Sequence, residues 1–344
     1  MKNNAEKPQA TFPQILGKLI AMHDLTEREA AFAMQEIMEG KVNNPQIAAF
    51  LTALKAKGET VSELAAFARA MRERTLKVKC NGAHLVDTCG TGGDASGTFN
   101  ISTCAAFVAA GSGATVAKHG NRAASGKSGS ADVLEALGID INADAKKAKA
   151  QLEKIGIAFM FAPIYHPAMK HVAQVRKELG FRTVFNMLGP LTNPAGVKKQ
   201  VIGVPSRQLA KKLAGVARRL GAQKAIFVAS DIDEISVSAT THVYEATKSG
   251  IKTYSIKPED FGMKRSVLGK IKVDGSNASA KLIIEVLRGT KGPARDVVLL
   301  NAAAAIYASG LAKNMLEGAV LAKKSIDSGS ALAKLEALRN FSGA

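Results

Sequence analysis

What this chain lacks narrows the field first. Its three cysteines, Cys80, Cys89 and Cys104, are odd in number and show no paired zinc-ligand spacing. That argues against a disulfide framework or a structural zinc site. No apolar run is long enough to cross a bilayer, and Met1-Lys2-Asn3-Asn4-Ala5-Glu6-Lys7 has no apolar core of a signal peptide. A cytoplasmic protein with reduced thiols and no membrane partner is expected. Acidic residues are scarce, 29 against 47 Lys and Arg, which leaves a net charge of +18. The excess is scattered in pairs such as Lys146-Lys147, Lys211-Lys212 and Arg218-Arg219, which define no stripe. Solvated faces are therefore expected ahead of a nucleic-acid surface. The positive field would still draw in a polyanionic small molecule.

What is present suffices for a full core and two domains, with 344 residues of which 47% are hydrophobic. Phe12 to Met22 carries helical spacing, and Thr26-Glu27-Arg28-Glu29 has the form of a capping box opening a helix to Met38. Further helices are expected from Pro45 and from Val61 to near Thr75. After Lys77-Val78-Lys79 short β-like runs alternate with helices, the pattern of a parallel sheet covered on its faces. Ile157 to Phe161, Val201 to Val204 and Ala225 to Ala229 read as strands. Asp144 to Ile155, His166 to Leu179, Ser206 to Leu220, Ala278 to Leu287, Arg295 to Ala308 and Ala331 to Leu338 read as helices. Asn186 to Pro194 contains two prolines and a glycine and reads as a constrained loop. The expected fold class is α/β: a small N-terminal all-helical domain and a large α/β domain with a mainly parallel central sheet flanked by helices.

One stretch, Asp87 to Gly138, concentrates the chemistry. Leu85-Val86 reads as the end of a strand, and the following Gly90-Thr91-Gly92-Gly93-Asp94 can turn tightly and expose backbone N–H groups. It is not a Walker loop, which needs Gly-Lys-Ser/Thr, and it lacks the glycine spacing of a dinucleotide fold. Ser102 or Thr103 is expected to cap a helix over Cys104 to Ala110. The layout then repeats. Ala114 to Ala117 reads as a strand, Lys118 to Gly129 as a polar loop, and Ser130 to Leu137 as a helix closed by Gly138. Two such units in succession suit a ligand with two separate anionic groups. Farther on, Asp233-Glu234 offers adjacent carboxylates just after a strand, which alone would pass for an acidic turn.

Together Gly90-Thr91-Gly92-Gly93-Asp94, Asn100-Ile101-Ser102-Thr103 and Lys118-His119-Gly120-Asn121-Arg122-Ala123-Ala124-Ser125 resemble the anthranilate phosphoribosyltransferase family. The likeness continues through Phe161-Ala162-Pro163, His166-Pro167-Ala168-Met169, Phe185-Asn186, Leu188-Gly189-Pro190-Leu191, Asn193-Pro194 and Asp233-Glu234-Ile235-Ser236, and so spans nearly the whole chain.

The resemblance implies a helical domain of residues 1–77 with an inserted piece at about 169–186, and an α/β domain of 78–168 and 187–344. It implies transfer of a phosphoribosyl group from phosphoribosyl pyrophosphate to anthranilate in tryptophan biosynthesis. Phosphoribosyl pyrophosphate would be held by Gly90, Gly93, Asp94, Thr98, Asn100, Ile101, Ser102, Thr103, Lys118, His119, Gly120, Asn121, Arg122, Ala123, Ala124, Ser125, Gly126 and Ser130. Anthranilate would be held by Gly90, Asn121, Arg176, His119, Ala162, Pro163 and His166. Magnesium, two ions per site, would be bound by Ser102, Asp233 and Glu234. No residue stands out as an acid or base; Lys118 and the metal ligands would stabilise the transition state. A homodimer through the helical domain is expected. The family often has two serines where this chain has Ser125-Gly126, so a backbone N–H would replace one hydroxyl. Two alternatives stay open: a pyrimidine nucleoside phosphorylase, in which Lys-x-Ser-Gly-Arg would be expected in the second loop, and a nucleic-acid binder of the same fold.

Overall fold

A computed structural model describes residues 10–80, 82–92, 96–123 and 128–342. The chain forms two units, Met1–Thr75 with Pro167–Thr192, and Leu76–His166 with Asn193–Ala344.

The first unit is helical. It holds α1 (Phe12–Ile20), α2 (Glu27–Met38), α3 (Asn44–Lys57) and α4 (Val61–Glu73). The capping box at Thr26 is present, with the Thr26 hydroxyl accepting from the Glu29 N–H and the Glu29 carboxylate accepting from the Thr26 N–H. Thr60 and Glu63 repeat it at α4. Glu63 is fully buried and also accepts from the Leu25 N–H at 2.9 Å and the Lys57 ammonium at 3.0 Å. One carboxylate thus ties α3, α4 and the turn before α2.

In the second unit seven strands run in the order β3-β2-β1-β4-β5-β6-β7. They are β1 (Leu85–Gly90), β2 (Thr115–Gly120), β3 (Ile157–Phe161), β4 (Lys199–Gly203), β5 (Lys224–Ala229), β6 (Thr241–Thr247) and β7 (Ile251–Ile256). The first five are parallel; β6 and β7 pair antiparallel and were not anticipated. The intervening helices are α5 (Ile101–Gly111), α6 (Ser130–Ala136), α7 (Ala145–Lys154) and α8 (Ala162–Tyr165). The chain then lends α9 (Lys170–Leu179) and α10 (Val184–Leu188) to the helical unit. It returns for α11 (Arg207–Arg219), α12 (Gly275–Leu287), α13 (Pro293–Ser309), α14 (Met315–Asp327) and α15 (Ser330–Arg339). Val86 and Val116 pack in the core with α5 and α13, whereas Ala117, Ala158 and Met160 pack with α7 on the opposite face. Helices therefore cover both faces, as a parallel sheet requires.

Several expectations are corrected. α5 begins at Ile101, so Ser102 and Thr103 lie in its first turn and do not cap it; the N-cap is Asn100. β2 continues through Lys118, His119 and Gly120, because the polar residues find partners inside the fold. The expected loop at Asn186–Pro194 is partly helical: Val184–Leu188 is α10 and Gly189–Leu191 a 3-10 turn, with Pro190 at a first-turn position where its missing N–H costs nothing. His166 precedes the helix at Lys170–Leu179, separated from it by a 3-10 turn at Pro167–Met169.

Glu63→Ala should leave Lys57 buried without this partner and lower stability by about 3 kcal/mol. Urea unfolding checks it, and a loss near zero would show that the carboxylate is dispensable.

Candidate active site

The strand order reverses at β1. From it the chain steps outward to β2 and β3, and only later returns to the other side for β4 and β5. Ligands of open α/β sheets bind at such a switch point, beyond the carboxyl ends of the strands. Here those ends are Gly90 and Gly203, which pair in register. The Thr91 N–H donates to the Gly203 carbonyl at 3.0 Å, so the glycine turn leaves directly from the pairing. A Cβ on Gly203 would lie 1.6 Å from the Asp233 carbonyl oxygen, and one on Gly90 3.5 Å from Asp233 Oδ2. The acidic loop after β5 therefore sits against the ends of β1 and β4.

Two residues that the sequence reading missed hold that loop. The Ser230 hydroxyl lies 2.8 Å from the Ile232 carbonyl and 2.9 Å from that of Glu234, and accepts from the Ile232 N–H. Buried Asn301 of α13 accepts from the Ile235 N–H at 2.9 Å and donates to the Ile235 carbonyl. A serine just past a strand is a turn signal in sequence. Nothing in the sequence marks Asn301 among the alanines of α13.

Lys118 is buried on β2. Its ammonium donates to the Thr88 carbonyl and lies 3.4 Å from Thr88 Oγ1 and 3.3 Å from Ser102 Oγ. Burial pushes its proton affinity down, while Asp87, Cys89 and Glu234 pull it back up. Next to it, His119 is buried with its Nε2 3.1 Å from Nε2 of His166, so one ring must donate and the other accept. Asn100 is fixed by Ser128 and Ser279: Ser279 Oγ accepts from its N–H at 2.9 Å, and Asn100 Oδ1 accepts from both hydroxyls. Buried Ser279 of α12 was not anticipated either.

The second cradle is organised by Asp132, which accepts from the N–H groups of Ala123 at 3.0 Å and Gly129 at 2.8 Å. A Cβ at Gly129 would lie 2.4 Å from the Ala123 nitrogen, so only glycine fits against the Ala123 backbone there. Exposed Arg122 pairs with Asp132 at 2.9 Å and with Glu135 at 2.5 Å, and its guanidinium lies 5.6 Å from the Phe161 ring centre. Ser130 Oγ donates to the Asn121 carbonyl at 3.2 Å, and Asn121 Oδ1 accepts from the Arg122 N–H.

The structure thus brings together Gly90, Asn100, Ser102, Lys118, His119, His166 and the Asp233 loop around the strand ends. Gly120, Asn121, Arg122, Ala123 and Ser130 lie at the end of β2 and the start of α6. Ile101 and Thr103 are buried in α5, so their side chains face the core; Thr98 forms a bridge with Lys272. Ala162 and exposed Pro163 open α8. Gly93, Asp94, Ala124, Ser125 and Gly126 lie outside the described residues. In the helical unit, half-buried Arg176 of α9 stacks over Phe185, 5.5 Å from its ring centre, and burial lowers its proton affinity. Among the described residues no carboxylate lies within ion-pair distance of it.

The donors at the strand ends can be tested against magnesium. Among the described residues no group of three or more His, Cys, Asp and Glu could hold a metal. Adjacent carboxylates at a strand end suit an ion that keeps waters and takes substrate phosphate oxygens. Asp233 and Glu234 fit that habit.

The fold and site define a glycosyl transferase of two domains: residues 13–75 match the helical bundle domain of the glycosyl transferase family, and residues 82–332 its a/b domain. Within that class the likeness is narrower. The chain is 49% identical over 332 residues to the anthranilate phosphoribosyltransferase of Methylobacillus flagellatus, covering 96% of this chain and 97% of that one. The crystal structure of the Thermus thermophilus enzyme superimposes with a TM-score of 0.90 at 44% identity, covering 95% of this chain and 98% of the other. The Saccharomyces cerevisiae enzyme in complex with PRPP and Mg gives a TM-score of 0.89 at 30% identity over 97% and 98%; it is also known with 4-fluoroanthranilate. This chain belongs to the anthranilate phosphoribosyltransferase family.

Burial pushes the His166 imidazole down from 6.5 to about 4. As pH falls between those values, the unfolded chain takes a proton that the folded chain refuses, so stability should drop by up to about 3 kcal/mol. His166→Gln should flatten that limb of the pH–stability curve, measured by denaturant unfolding; an unchanged limb would refute a buried, neutral His166.

Proposed function

We propose that this chain transfers the phosphoribosyl group of 5-phosphoribosyl 1-pyrophosphate to the amine of anthranilate. The N–C1 bond forms as the C1–O bond to pyrophosphate breaks, and the amine releases a proton. The observation that carries this reading is the full-length likeness to anthranilate phosphoribosyltransferases, at 49% identity. The step belongs to tryptophan biosynthesis.

The chain would serve it through two groups of residues. Gly90, Gly93 and Asp94 would hold the pyrophosphate and ribose side, with Thr98, Asn100, Ile101, Ser102, Thr103 and Lys118 beside them. Gly120, Asn121, Arg122, Ala123, Ala124, Ser125, Gly126 and Ser130 would hold the 5′-phosphate loop. For Ile101 and Thr103, whose side chains are buried, the backbone at the start of α5 would be the contact. Lys118, held by Thr88 and Ser102, presents fixed positive charge near the strand ends, so little reorganisation is needed as the leaving group gains charge. Magnesium, when bound, offsets negative charge on the pyrophosphate; Ser102, Asp233 and Glu234 would hold it, with two ions per site.

His119, His166, Ala162, Pro163, Asn121 and Gly90 would line the acceptor site, and Arg176 would clamp the anthranilate carboxylate. An aryl amine is largely neutral at pH 7, so a strong general base is not required. Intact Asp233-Glu234 and Arg176 favour this reading over a phosphorylase or a nucleic-acid binder.

We further infer a homodimer through the helical domain, residues 1–77 with the piece near 169–186, which is supported by Ile20 and Met22 lying exposed at the end of α1. A cytoplasmic location is proposed with it; no helix among the described residues is long and apolar enough to cross a membrane.

Loss of anthranilate fluorescence on adding phosphoribosyl pyrophosphate, with and without magnesium, tests the reaction; no consumption by folded protein would overturn it. Arg176→Ala should raise the anthranilate Michaelis constant by about tenfold to a hundredfold, the value of a charge-assisted hydrogen bond. Unchanged anthranilate kinetics would remove Arg176 from the clamp. Replacing both Asp233 and Glu234 by Ala should weaken magnesium binding, read by calorimetry with phosphoribosyl pyrophosphate present. An undiminished magnesium affinity would place the metal elsewhere.

A further inference from the structure

Asp87 lies in the middle of β1, fully buried, where a strand of a covered sheet is ordinarily apolar. Its Oδ1 accepts from the His119 N–H at 3.2 Å; its Oδ2 accepts from Asn193 Nδ2 at 2.8 Å and, more distantly, from Gln200 Nε2 at 3.5 Å. Asn193 is the first residue of the chain on its return to the α/β unit. Its amide also donates to the Ala117 carbonyl at 2.8 Å and its Oδ1 accepts from the Ala195 N–H at 2.8 Å. The next residue, Pro194, accepts from the Val78 N–H, and Leu76 donates to the Tyr165 carbonyl. The three crossing segments of the α/β unit are therefore bonded to one another or to β1 and β2, and His166, at the end of one of them, faces His119.

Side chains alternate along a strand, so Asp87 and Thr88 point to opposite faces of β1. Lys118 bonds on the Thr88 side, towards Ser102. Asp87 shares none of those direct partners. Its own partners lie on the side of His119, Asn193 and the crossings.

We infer that Asp87 is a positioning residue for the acceptor substrate: by joining His119 to Asn193 it sets the register of the histidine pair against the returning chain. It touches no reacting atom. This inference rests on the phosphoribosyl-transfer reading, and goes beyond it by assigning a role to a carboxylate outside every proposed contact.

The test uses the full chain, with steady-state kinetics for each substrate, anthranilate binding by calorimetry, and thermal unfolding. Asp87→Asn should lower kcat/KM for anthranilate by about tenfold to a hundredfold, the cost of an ångström-scale displacement. The Michaelis constant for phosphoribosyl pyrophosphate should change by less than about threefold, since uniform damage would move both. Combining Asp87→Asn with Asn193→Asp should recover most of the loss. The amide then accepts from His119 and donates to the carboxylate across the same gap, while the bond to Ala117 and the longer one from Gln200 are lost. If Asp87→Asn does not fold, Asn193→Ser breaks the junction from the other side and should give the same anthranilate-selective loss. Wild-type anthranilate kinetics in folded Asp87→Asn, or equal losses for both substrates without recovery in the swapped pair, would overturn the inference while the reaction stands. An inactive wild-type chain in the same assay would overturn both.

Discussion

Gly203 and the Asp233 carbonyl share a space too small for any side chain, and the site depends on that contact. Because β4 ends in a residue without a Cβ, the acidic loop after β5 can lie directly on the strand end, with the Asp233 carboxylate beside Gly90. Ser230 and Asn301 then fix the loop through its backbone, which leaves the carboxylates to be oriented by the loop and not by their own flexibility. The apolar residues Ile232 and Ile235, both buried, anchor it into the core with α13. Sheet topology supplies the place, a glycine supplies the clearance, and hydrogen bonds to backbone supply the precision.

The same sheet carries polar groups where strands are ordinarily apolar. Lys118 and Asp87 are both buried at the centre of a parallel sheet, and burial works against the charged form of each. Such residues are tolerated only when their hydrogen bonds are made. Lys118 meets Thr88 and Ser102 on one side of β1; Asp87 meets His119, Asn193 and Gln200 on the other. The middle of the sheet is thus chemically two-sided, with cationic character towards α5 and a carboxylate bracing the crossing segments opposite.

Much of this was legible in the sequence where local chemistry and tertiary structure agree. Thr26 with Glu29 announced α2, and Ile157–Phe161 was read to its boundaries because a short apolar run between a glycine and a proline has few other uses. Legibility failed where tertiary partners overrode local pattern. Lys118 and His119 look like loop residues, yet they complete β2 because Ser102, Thr88 and Asp87 wait for them. β6 and β7 escaped notice because they carry polar residues such as His242, Glu245 and Lys252, and β7 is mostly exposed as an edge strand. Met315–Asp327 was missed as well, with Gly318 in its second turn suggesting a break. In the structure Gly318 packs where a Cβ would be 2.5 Å from the Ala303 carbonyl, so the glycine is there for close helix packing. The site residues that sequence left silent, Ser230, Ser279 and Asn301, all act by holding backbone or another side chain. No motif records such work, because its partners lie far away in the chain.

Arg176 shows the reverse case, where an unremarkable sequence context hides an unusual environment. Among Arg176-Lys177-Glu178 a solvated helix surface would be the ordinary outcome. Instead the guanidinium lies against Phe185, half-buried, with burial lowering its proton affinity and no carboxylate among the described residues to offset the lost hydration. Arginine keeps its charge under such conditions, and its planar face accepts aromatic stacking while its edge keeps donors free. A flat aromatic carboxylate offers that edge a bidentate partner. The lost hydration of the side chain and the carboxylate of the proposed acceptor are therefore complementary in charge and geometry.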